Sequence, residues 1–187
     1  MNEANSDRRA RPRRYSDRRV ALLLQIHELL FDHPPGPERE RLVLEAVRDD
    51  FETSRALLAQ RGDTGPGIIV AAACGEWRED PVGRVLEGPG LAALLDTHGL
   101  VPGAVTLTYV RRPSAFTAED WERLFKADFG EPASALLSVE IRPERAPGSL
   151  LLLQDMISSR EWSSHDRSMA EEVARLLSLA ADKGHAS

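Results

Sequence analysis

Two apolar runs late in the chain, SALLSVEI (134–141) and GSLLLLQDM (148–156), are separated only by RPERAP. Each has the length of a strand and is bounded by turn residues. The connector is too short for the crossover that parallel strands need, so the runs pair as an antiparallel hairpin. A second pair, TSRALLAQ and GIIVAAACGEW, flanks the turn-rich GDTGPG and predicts another hairpin, roughly 53–61 and 67–76. AVTLTYVRR is rich in β-branched residues and reads as a further strand. A sheet this apolar must be covered, and the helical signals sit before and after it.

Ser16 is a good N-cap for a first helix running to about Phe31, with apolar positions Val20, Leu23, Leu24, Ile26, Leu29, Leu30 and Phe31. That stripe covers more than one face. Pro34 and Pro35 stop it, and Pro37 opens PERERLVLEAVRDDF, which buries Leu42, Val43, Ala46 and Val47. WREDPVGRVLEGPGLAALLDTHG reads as short helical pieces punctuated by glycines, and FTAEDWERLFKADF as a short helix capped by Thr117. The last helix starts at Ser163 or Ser164, where Ser163 and Asp166 have the spacing of a capping box. On it, Met169, Val173, Leu176 and Ala180 form one stripe, expected to be core. Ala170, Ala174, Leu177 and Ala181 form a second, expected to meet another helix, either the first helix or a second copy of the chain. The order of elements predicts an α+β domain, an antiparallel sheet with helices on one face.

The chain of 187 residues suits one domain. We divide it into a disordered Arg-rich leader at 1–15, the domain at 16–182 and a tail at 183–187. Residues 1–19 hold seven arginines against three carboxylates, a net of +4, which leaves about −10 on the body of a chain whose total is −6. A basic arm of this kind can touch nucleic acid or anionic lipid; equally, it can be a solvated leader. The sequence lacks a run of apolar residues long enough for a membrane span and the apolar core of a secretory signal. Cys74 is the only cysteine, so no internal disulfide forms, in keeping with a reducing cytoplasm. It lies in an apolar strand and reads as structural.

No GxxxxGK[ST], HExxH or GxSxG motif occurs, and none of the five histidines has metal-ligand spacing. His98, before Gly99, reads as a helix end rather than a haem ligand. YVRRPSAFTAEDW is the most informative polar stretch: Tyr109, Arg111 and Arg112 follow a strand, and Trp121 stands on the next helix. Arginine beside aromatic rings suits a flat anionic ligand; the alternative is solvated arginines and a core tryptophan.

The C-terminal third, ALLSVEIRPERAPGSLLLLQDMISSREWSSHDRSMAEEVARLLSLA, resembles the GAF family of sensory domains. Gly148 begins the second strand, and Trp162 stands before the Ser-Ser cap where that family usually has Phe. PVGRVLEGPG is similar to the segment that opens the family's middle helix, and the element order agrees from about 20 to 181. The resemblance implies an antiparallel sheet of five or six strands, with the first and last helices together on one face. It implies small helices and loops on the other face, enclosing a pocket, which would put Tyr109, Arg111 and Trp121 at its border. It further implies a homodimer through the terminal helices and a non-enzymatic regulatory role, binding a small molecule or relaying a signal to a partner. No cofactor follows from it. The absence of any cysteine after Cys74 argues against covalent bilin, and too few cysteines are present for the branch that reduces methionine sulfoxide. The readings from other classes are a nucleic-acid-associated regulator using the Arg-rich arm and a divergent enzyme on the same fold.

Overall fold

The computed structural model describes residues 7–61, 68–86, 105–108, 133–142, 144, 149–157 and 160–184. The chain opens with α1 (Asp7–Asp32) and α2 (Pro37–Phe51). Strands β1 (Arg55–Arg61), β2 (Ile68–Gly75), β3 (Val85–Leu86), β4 (Val105–Thr108), β5 (Ala135–Ile141) and β6 (Ser149–Asp155) follow, and α3 (Ser164–Gly184) ends the fold.

The α1 helix starts at Asp7, well before the Ser16 cap expected from sequence, within what the sequence gives as an unstructured leader. Arginine and alanine are strong helix formers, and they carry the helix past Pro12, which cannot donate to the carbonyl one turn back. The α2 helix begins at Pro37 as expected, but its buried face is Val43, Leu44, Ala46, Val47 and Phe51, so Leu44 takes the place expected for Leu42. It ends at Glu52, the only non-glycine residue with positive φ (52°) among those described, whose N–H reaches back to the Asp49 carbonyl.

The six strands form one sheet in the order β3-β2-β1-β6-β5-β4. Four long strands make its centre, and every pair is antiparallel. Both expected hairpins are present, β1–β2 and β5–β6, and β1 joins β6 to tie them together. The pair Val85–Leu86, expected in a helical piece, lies instead against Ile69 and Ile68 as the edge strand β3.

Strand alternation gives the sheet two faces. Toward the helices point Ala56, Leu58, Ala72, Cys74, Leu137, Val139, Leu151 and Leu153, in one core with Ile26, Leu44, Val47, Met169 and Val173. The α2 helix packs on β1 and β2, α3 packs on β5, and α1 lies against both helices. The opposite face, with Leu57, Leu136, Leu150 and Leu152, is buried as completely, although none of the described helices lies over it. A sheet buried on both sides explains why the strand sequences run nearly continuously apolar instead of alternating. The small helices expected on that face fall outside the described residues.

Candidate functional site

The closing helix is fixed at its start by the capping box its sequence announces. The Asp166 N–H donates to Ser163 Oγ at 3.1 Å, and the Ser163 N–H donates to Asp166 Oδ2 at 2.8 Å. Trp162, just before the cap, is buried against Phe51 at the end of α2, with 6.5 Å between ring centroids. Arg160 stacks on Trp162, its guanidinium carbon 4.7 Å from the ring centroid, and donates to the Phe51 carbonyl. This loop therefore locks the start of α3 to the end of α2.

The buried face of α3 straddles the two stripes read from sequence: Met169, Ala170, Val173, Ala174, Leu177 and Ala180. Of the four residues expected to meet another helix, Ala170, Ala174 and Leu177 are buried within this single chain, and Ala181 is half-buried. Leu176, expected at the centre of the core stripe, is only partly buried. The small side chains let α3 lie close over β5 while α1 crosses beside it.

A different stripe faces outward. On α3, Glu172, Leu176, Leu179 and Lys183 follow one another at helical spacing of four, three and four. On α1, Val20, Leu24, His27 and Phe31 do the same. Two contacts join the helices beside these stripes. Both guanidinium nitrogens Nε and Nη2 of Arg19 reach the Glu172 carboxylate, the former at 3.1 Å, and Lys183 Nζ lies 4.2 Å above the Phe31 ring. Between them three large apolar side chains stay in solvent: Val20 (53% exposed), Leu24 (59%) and Leu179 (56%). Sequence reasoning missed this surface because the two broad helices hold more apolar positions than one core face needs. The signal was the excess width itself, but periodicity alone does not say which stripe is left over.

Beside the first half of α1 lies an open cleft of about 610 Å³ between α1, the end of α2 and the start of α3. Arg18, Arg19, Arg160 and His165 line it together with Asp50, Glu52, Glu161 and Asp166. Arg18 Nε donates to Asp50 Oδ1 at 2.7 Å, and its Nη2 lies 3.6 Å from Glu52. Arg160 reaches Asp166 at 3.6 Å. Positive and negative groups neutralise one another here, so the cleft has no one-signed field to draw in a charged ligand.

On the sheet face away from the helices, Arg55, Ser138 and Gln154 are buried among leucines. Arg55 and Gln154 are neighbours across β1 and β6, and Arg55 stacks 4.5 Å over the ring of Trp77. Strand β4 ends at Thr108, paired with Ala135, one residue before Tyr109. Tyr109, Arg111 and Trp121, the residues expected to border a ligand, lie outside the described residues, as do Arg112 and His98. Cys74 sits on the helix side, beneath α2. Burial pushes its thiol up to about 11, with the Arg48 charge pulling the other way, so it stays protonated and inert as a nucleophile. Among the described residues no group of three His, Cys, Asp or Glu side chains could hold a metal ion, and no helix is long and apolar enough to cross a membrane.

With this geometry in hand, comparison with known proteins bears on the fold alone. No family model matches the sequence, and no curated protein shows significant similarity to it. Solved structures do match. The GAF domain of an Acinetobacter phosphoenolpyruvate-protein phosphotransferase aligns with a TM-score of 0.67 at 18% identity, over 89% of this chain and 94% of that one. The corresponding domain from Coxiella burnetii gives 0.66 at 18% identity, over 90% and 94%. The phycocyanobilin-bound GAF domain of a cyanobacterial phytochrome gives 0.73 at 13% identity, over 90% and 96%. The fold is therefore GAF-like.

Proposed function

We propose that the chain is a regulatory signalling module of the GAF type, without enzymatic activity, which pairs with a second copy of itself through the outward stripes of α1 and α3. The observation that carries this reading is the exposure of Val20, Leu24 and Leu179 on two helices already held side by side by Arg19–Glu172 and Lys183–Phe31. Exposed apolar side chains grouped on one surface mark interaction sites, and the two-fold homodimer is the commonest assembly of soluble chains. Small-molecule recognition, in this reading, falls to Tyr109, Arg111 and Trp121, which follow β4 in the sequence; the phytochrome GAF domain of like fold is bound to phycocyanobilin. The chain gives no sign of a covalent pigment, since Cys74 is buried on the helix side.

Size-exclusion chromatography with light scattering tests the pairing. The wild-type protein should elute as a dimer, and the double variant Leu24→Glu, Leu179→Glu as a monomer with an unchanged far-UV spectrum, because both side chains already stand in water. A wild-type protein that is monomeric at high micromolar concentration sinks the reading. Native mass spectrometry of the same sample reports any retained small molecule.

A further inference from the structure

We propose that Arg18 and Arg19 form a salt-released clasp that holds the N-terminal half of α1 across the cleft at the start of α3. Among the described side chains of α1, those from Asp17 onward, buried apolar residues begin at Leu22. From Asp17 to Ala21 every side chain is exposed except that of Arg19, which is half-buried. Burial of apolar surface therefore does not fix this stretch. An unsupported helical end is marginal in water and frays, because helix stability in a protein comes mainly from packing. The side-chain ties that remain are ionic. Successive residues point about 100° apart around a helix, and the two arginines use that divergence. Arg18 reaches the end of α2, at the Asp50 carboxylate and carbonyl and at Glu52. Arg19 reaches α3, at Glu172. Both arginines line the cleft, and together they tie α1 to the helix on either side of it.

The pairs are only partly shielded: Arg18 is about half exposed, and Arg19 and Glu172 about a third. Salt screens charges in that setting. Raising ionic strength, or supplying an anion that competes for the two guanidinium groups, releases the helical turns before Leu22 and opens the cleft toward Phe51 and Met169. Val20 stands on those same turns. If the outward stripes are the dimer surface, as proposed above, the clasp also decides whether that surface is complete; this consequence rests on that reading, whereas the clasp does not.

Hydrogen exchange with mass spectrometry tests the clasp on the full chain, both as wild type and in the Leu24→Glu, Leu179→Glu background, so that dimer loss and clasp loss are read separately. Arg19→Glu should speed exchange in peptides covering residues 15–21 by about fivefold, the factor expected from one partly buried ion pair, and leave β5 and β6 unchanged. The swap Arg19→Glu, Glu172→Arg should recover most of the protection. Raising sodium chloride from ~0.02 to ~0.5 M should move the wild type toward Arg19→Glu and change the variant less, since only the Arg18 pairs with Asp50 and Glu52 remain in it to be screened. An Arg19→Glu protein as protected as wild type, or a swap as fast as the single variant, overturns the proposal in either background.

Discussion

Among the described glycines, Gly75 is the one to which the backbone leaves least room. It closes β2 opposite Arg55 with φ at 102°, and a Cβ placed on it would lie 2.4 Å from the Ser54 carbonyl oxygen and 3.0 Å from Arg55 Cα. Two costs separate cleanly. An L side chain in the left-handed half of conformational space costs about 1–2 kcal/mol. The collision with backbone adds to that, because Ser54 and Arg55 must move. Ser54 Oγ accepts from the Met156 N–H at 3.0 Å, and Arg55 donates to the Glu76 carbonyl while stacking on Trp77, so the shift disturbs the junction of β1, β2 and β6. Overpacking of this order costs about 1–3 kcal/mol, and the sum for Gly75→Ala is roughly 2–5 kcal/mol. Gly83 supplies the control: its φ is 79°, yet nothing lies within 4 Å of its would-be Cβ, so Gly83→Ala carries the conformational cost alone. Urea unfolding followed by circular dichroism, with a common m-value, reads both. Equal midpoints for the two variants would show that the approach of Gly75 to Ser54 is not what this residue is there for.

Two further outcomes follow from the local chemistry. Ser163→Ala and Asp166→Ala should each cost about 1 kcal/mol, or about 2–4 °C in Tm for a chain of this size, and the double variant should lose less than the sum because the two groups serve one another; calorimetry decides, and strict additivity would dissolve the box. Cys74 should resist iodoacetamide at pH 8 until denaturant is added. Its folded value near 11 lies above the ordinary thiol value of about 8.5, so the native state favours the protonated form: that contribution is fully present below the ordinary value and is lost as pH climbs toward 11. Rapid labelling of native protein at pH 8 would contradict both the burial and the shift.

Several elements that the sequence announces locally are found where they were expected, although α1 runs straight through its expected Ser16 cap. Pro37 opens α2 because a proline at the first helical position forfeits no hydrogen bond, and Ser163 with Asp166 starts α3 because their side chains satisfy N–H groups that the helix cannot. Both hairpins were legible because short turn-rich connectors leave the flanking runs no other partner. What failed locally was decided at long range. The strand β3 is only Val85–Leu86, too short for any period, and exists because Ile68 and Ile69 offer it a free edge. The helix α1 starts at Asp7 although its first turns make no apolar pattern that sequence could read. Further along it, Arg18 and Arg19 meet carboxylates of α2 and α3 that are distant in sequence, so no local signal announces those contacts.

The same limit governs the candidate surface. Sequence gives the number of apolar positions on α1 and α3 but not their rotation, and rotation decides which stripe is core. With α3 over β5 and α1 against both neighbouring helices, the small residues Ala170 and Ala174 are drawn inward, where they allow close approach. Leu179 is thereby turned out beside Val20 and Leu24. Val20, Leu24 and Leu179 are thus left in water while two alanines take buried positions beside Met169, Val173 and Leu177. Apolar side chains exposed together are what a surface kept for a second copy would show, and they make the oligomeric state the measurement on which the functional reading turns.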